Sequence, residues 1–103
     1  MGSTAPPIPF EAKLWLAERE SSAIEGNRLR MVADLESRLL PTGMPREHTR
    51  KLLGEPDAAS DKDRANHRDV YTLGYRKMRV DPAMLVLQFD PQGRLKEHYQ
   101  QEF

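Results

Sequence analysis

The chain has no cysteine, no long apolar run and no excess of either charge. Without cysteine there is no disulfide, no thiolate nucleophile and no sulfur ligand, and the redox compartment is left unwritten. No apolar run approaches the length that spans a bilayer, and the start, MGSTAPPIPF, carries neither a basic n-region nor an apolar h-region. Its MGST opening departs from the myristoylation pattern at Pro6, where that pattern wants Ser or Thr. Sixteen basic and sixteen acidic side chains cancel, so there is no overall field to hold a phosphate backbone or an anionic membrane, and no nucleic-acid partner is expected. What is present suits one small soluble domain: 103 residues, 38% apolar and 31% charged.

Pro6, Pro7 and Pro9 favour extended, solvated backbone and mark a disordered lead-in. FEAKLWLAERE places Phe10, Leu14 and Trp15 near one helical face, so residues 10–20 form either a short helix docked on the core or a loosely held arm. Residues 1–27 are accordingly an N-terminal arm and 28–103 a single α+β domain. From Arg28 to Leu40, Met31, Val32, Leu35 and Leu39 recur at threes and fours, with Asn27 as N-cap and Pro41 as stop. In GMPREHTRKLLGEPD, Gly43 allows a sharp exit, Pro45 and Glu47 suit a helix start, and Arg50, Lys51, Gly54 and Pro56 suit its end. Thr49, Leu52 and Leu53 face inward on a helix too short to stand alone.

DAASDKDRANH, residues 57–67, is small and polar and predicts a mobile loop. DVYTLGY alternates, putting Tyr71, Leu73 and Tyr75 on one side, and MLVLQF is dense enough for a central strand. Asp90-Pro91-Gln92-Gly93 is a turn, and RLKEHYQ returns as a more exposed last strand. The expected architecture is two-layer α+β, α-α-β-β-β, with a helix pair on a three-stranded antiparallel sheet.

The succession RMVADLESRLL, GMPREHTRKLLGEPD, YTLG and DPAMLVLQFDPQGRL resembles the SmpA/OmlA family of small bacterial lipoproteins, the BamE-like proteins, over about residues 28–98. The spacing of Gly43, Leu53, Gly54, Pro56 and Asp57, followed by Phe89, Asp90 and Gly93, carries the likeness, which is greatest to that family's uncharacterised members. The resemblance implies the same helix-pair-on-sheet fold and a noncatalytic, lipoprotein-like interaction or scaffold role in the bacterial cell envelope. Family members commonly have Ser or Thr where Pro45 stands and an aliphatic residue where Thr49 stands; a buried Thr49 hydroxyl would need a partner such as the carbonyl four residues back. The lipid anchor of the family sits on an N-terminal cysteine. A periplasmic or outer-membrane location therefore follows if this sequence is trimmed from a longer one, and a cytoplasmic location otherwise.

No reactive constellation stands out. His48, His67 and His98 lack metal-ligand spacing and suit a solvated surface. Asp61 and Asp63 open like an EF-hand loop, but Lys62 and Arg64 interleave, Asn66 replaces the glycine and Thr72 the bidentate Glu. Ser21 and Ser22 lie in no nucleophile elbow, the glycines are scattered, and Asp90 before Pro-x-Gly is a turn residue rather than an acid or base paired with Glu97. No enzyme activity, catalytic residue, metal or cofactor is expected. The candidate interaction surface is Phe10 and Trp15 of the arm with Tyr71, Tyr75, Arg76, Lys77 and Arg79 of the RKMR region. Trp15 either staples the arm to the core or is exposed as an aromatic anchor. The expected partner is another protein; an inhibitor-like or immunity-like domain, related in fold to the β-lactamase-inhibitory protein, is the alternative.

Overall fold

A computed structural model describes residues 6–19 and 23–102. Helices α1 (Ala12–Ala17), α2 (Asn27–Arg38), α3 (Arg46–Leu53) and α4 (Asp61–Ala65) precede strands β1 (Arg68–Gly74), β2 (Ala83–Phe89) and β3 (Leu95–Glu102). The strands form one antiparallel sheet in the order β1-β2-β3. The expected α+β fold is thus the observed one, with the dense MLVLQF strand in the centre.

Alternation along the strands creates two faces. Tyr71, Leu73, Leu85, Leu87 and Phe89 turn toward the helices and join Met31, Val32, Leu35 and Leu53 in one core, with Leu39 packed at its margin. The opposite face carries Val70 and Val86, directly paired across β1 and β2, and Tyr99, the β3 partner of Val86. Burying the helix-facing set removes enough apolar surface to hold α3, whose two turns have no stability of their own.

Several local expectations change. Helix α2 begins after Gly26, not after an Asn27 cap; the Glu18 carboxylate accepts from the Asn27 amide at 2.9 Å, so α1's exit supplies the missing cap. The Thr49 hydroxyl, fully buried, donates to the Arg46 carbonyl at 2.7 Å, three residues back rather than four. Gly54, by contrast, ends α3 with the expected positive φ, at φ 80, ψ −174, a region open essentially to glycine, and a β-carbon there would stand 2.9 Å from Leu16. The stretch read as a mobile loop contains α4. Ser60 and Asp63 form a reciprocal capping box, in which the Ser60 hydroxyl accepts from the Asp63 amide while the Asp63 carboxylate accepts from the Ser60 amide.

Of the N-terminal segment, residues 6–19 pack on the core, with Trp15 inside it and Ile8, Phe10 and Leu14 against it. The segment's helix is shorter than the expected 10–20. Asp34 accepts from the Phe10 amide at 2.7 Å and from the Arg38 guanidinium. Those bonds, Arg38's first and Phe10's second, hold the Asp34 carboxyl down at a pKa of about 2. The folded value is depressed, so this contribution to stability is complete above the ordinary aspartate range and is lost as pH falls from about 4 toward 2. An NMR titration should place Asp34 in that acid range, with the Phe10 amide resonance moving in parallel; a midpoint near an ordinary aspartate's would contradict the contact.

Candidate interaction site

The residues singled out in the sequence do not form one surface. Trp15 and Tyr71 are fully buried, so neither is an exposed anchor. The Trp15 indole N–H donates to the Leu53 carbonyl at 3.1 Å, and its ring meets Tyr71 edge-on at 6.1 Å between centroids. Tyr71 donates its hydroxyl to the Gly54 carbonyl at 2.7 Å, and burial pushes its phenol pKa up. Phe10 lies half-buried, 5.9 Å from Trp15. These three side chains join the N-terminal segment to the core. Apolar size placed them inside, which their aromatic character alone could not reveal.

Tyr75, Arg76, Lys77 and Arg79 cluster separately, where β1 leads toward β2. Tyr75 is half-buried and exchanges backbone hydrogen bonds with Ala23 and Glu25. Arg76 pairs with Glu102 and donates to Gln100 at 2.6 Å; Arg79 also reaches Glu102, at 3.9 Å; the Lys77 amide donates to Glu25. Carboxylates therefore offset the positive charge that the RKMR stretch suggests. This loop instead displays apolar side chains: Met78 is 93% and Val80 88% exposed, and Ile24, bridged to Tyr75, is 69% exposed.

A different site emerges on the outer face of the sheet. Between α4 and β3 lies an open cavity of about 530 Å³. Val70 and Val86 form its floor, Tyr99 and Gln101 one wall, and Ser60 and Lys62 the other. The Arg68–Asp63 ion pair, 3.0 Å apart, closes one end and ties α4 to β1. Sequence reasoning followed the Tyr71, Leu73, Tyr75 phase of β1 and missed the complementary phase that holds Val70. Its available signal was the recurrence of Val70, Val86 and Tyr99 at one alternation phase, together with a Ser60-x-x-Asp63 helix start.

The helix face of the sheet is closed by buried charge. Arg28, 1% exposed, donates to the Trp15 and Thr72 carbonyls and to Asp57 at 2.8 Å. Its guanidinium carbon stands 4.5 Å from the Trp15 ring centroid. Burial lowers its pKa, against the opposing pull of Asp57. Asp69, also buried, is gripped by Arg46 at 2.6 Å and Arg50 at 3.0 Å, which pins α3 to β1. His98 is not simply a solvated side chain, because its Nδ1 lies 2.7 Å from Glu36 on α2. His48 and His67 are exposed. Asp90 accepts from the Gln92 and Arg94 amides at 2.9 and 3.0 Å and shapes its own turn. Among the described residues, no three metal-ligating side chains gather.

No family model, no curated protein and no solved structure matches the chain.

Proposed function

We propose that the chain is a noncatalytic protein–protein interaction module of the bacterial cell envelope, lipoprotein-like, that receives an extended segment of another protein on the outer face of its sheet. The observation that carries this reading is the cavity floored by Val70 and Val86 and rimmed by Lys62, Ser60 and Gln101. Val70 and Val86 are themselves 4% and 2% exposed and serve as a packed base, so the surface a partner would meet is Tyr99 within a polar rim. Tyr99, 39% exposed, supplies the amphipathic ring that interfaces favour. Three adjacent strands contribute to the floor and wall, so the surface is held rigid by the sheet and binding orders few side chains. The envelope location rests on the resemblance to the SmpA/OmlA lipoproteins.

The test is site-specific photocrosslinking in native cells. A benzoylphenylalanine at Gln101 is expected to trap one protein in the envelope fraction, whereas the same probe at the exposed Lys51 on α3 traps none. Equal adducts from both positions, or none from Gln101, would contradict the outer-face reading. An adduct found only with a soluble protein would favour the inhibitor-like alternative and remove the envelope assignment.

A further inference from the structure

The two edges of the sheet are finished differently. On β1, the Val70 carbonyl accepts from the Ala58 amide at 3.0 Å. The Thr72 amide donates to the Asp57 carboxylate at 2.9 Å, and the Thr72 carbonyl accepts from Arg28 at 3.0 Å. Tyr75 is covered by residues 23–25. Side chains and loop backbone thus occupy the positions that a further strand would take.

On β3 only the start is covered: the Gly43 amide donates to the Leu95 carbonyl at 2.7 Å and the Leu95 amide to the Met44 carbonyl at 2.8 Å. Beyond it, the backbone direction follows from the register. The Phe89 amide points to His67, on the β1 side, so Gln88, Val86 and Met84 point to β3 and engage Glu97, Tyr99 and Gln101. The amides and carbonyls of His98, Gln100 and Glu102 therefore face outward. Among the described residues none of them has a backbone partner there. Residues 97–102 contain no proline and no bulge, two of the devices that blunt an edge, and carry charge at Glu97 and Glu102.

We propose that this edge pairs with the same edge of a second copy of the chain, antiparallel about a twofold axis through Tyr99, giving one continuous six-stranded sheet. Outward-facing groups must meet outward-facing groups, which places a twofold axis on a residue, and within the uncovered span 96–102 only axes at His98, Tyr99 or Gln100 pair five residues or more. Because residues 43–45 cover the strand's start, an axis at His98 pairs only residues 96–100; an axis at Gln100 pairs only the described residues 98–102. The Tyr99 axis spans 96–102, with Lys96 at the irregularity between Leu95 and Glu97 and residues 97–101 in regular register. His98 then exchanges backbone hydrogen bonds with Gln100 of the other copy, and Lys96 stands opposite Glu102 twice by symmetry, each Glu102 being already held by Arg76 and Arg79 of its own chain. The two Tyr99 rings meet at a non-hydrogen-bonded position, where opposed side chains are closest. Glu36 holds His98 and Gln100 toward the helices at 2.7 Å each, which fixes the strand for pairing.

The absence of cysteine makes the register directly readable. Tyr99→Cys should form a disulfide-linked dimer under mild oxidation, since opposed α-carbons at such a position are about 4.5 Å apart. Glu97→Cys should not, because its counterpart is displaced by four residues, about 14 Å along the strand. In sedimentation of the purified chain, a concentration-dependent dimer is expected. Lys96→Glu should shift it toward monomer, because it sets two carboxylates opposite each other twice, while Lys96→Arg should leave it unchanged; Glu102 is kept because it also holds Arg76 and Arg79. A monomer at every concentration without preferential coupling of the Tyr99→Cys variant, or coupling from position 97 as readily as from 99, would overturn the proposal. The purified chain contains no other protein, so such a failure leaves the outer-face reading standing.

Discussion

Replacing Asp57 with alanine is expected to lower folding stability by about 3–5 kcal/mol, because it leaves the Arg28 charge buried without its counter-ion. The two side chains are 1% and 0% exposed. Loss of Asp57 also strips the Thr72 amide of its acceptor on the outer side of β1. Domains of this size have about 5–15 kcal/mol to lose, so the substitution approaches the threshold of unfolding. Urea denaturation followed by circular dichroism measures it. The double variant Arg28→Met with Asp57→Asn should recover part of the loss: the charge and its counter-charge disappear together, while the amide oxygen keeps Thr72 satisfied. A change below about 1 kcal/mol in Asp57→Ala would show that the pair is solvated rather than buried.

The second large effect is expected from Trp15→Ala, about 3–5 kcal/mol for emptying a fully buried indole. Trp15 touches both halves of the helix layer. Its N–H reaches Leu53 at the end of α3, its carbonyl accepts from Arg28 of α2, and its ring meets Tyr71 of β1. Trp15→Phe should be milder, keeping most of the packing while leaving the Leu53 carbonyl without its donor, about 1–3 kcal/mol. Circular dichroism is again the suitable signal, since the variants lack the chain's one tryptophan. If Trp15→Ala melted like the parent chain, the N-terminal segment would not belong to the core.

How far these features could be read in advance depended on whether their physics is local. Helix α3 is bracketed by Gly43, Pro45, Gly54 and Pro56, and each acts through its own backbone geometry. Strand β2 and the turn at Asp90 announce themselves by composition and spacing for the same reason. Arg28 and Asp57 meet across 29 residues, and Arg46 and Asp69 across 23. Charged side chains usually belong at the surface, so nothing local marked these as buried. Helix α4 escaped notice because its capping box uses Asp63 where Glu or Gln is usual, on a stretch with no apolar stripe. The outer-face cavity was hidden more deeply. Val70 and Tyr99 become its floor and wall only when three strands adopt one register and α4 folds beside them.

A consequence of the ion-pair arrangement is a division of labour between the faces. Buried charge and the aromatic cluster seal the helix layer and the β1 edge. The outer face and the β3 edge leave polar groups and Tyr99 exposed. The most direct test of that division is amide hydrogen exchange on the dilute, purified chain. The Thr72 amide should be protected, because it donates to Asp57, while those of His98, Gln100 and Glu102 exchange rapidly. Comparable protection of both edges at a dilution where sedimentation finds only monomer would contradict the account.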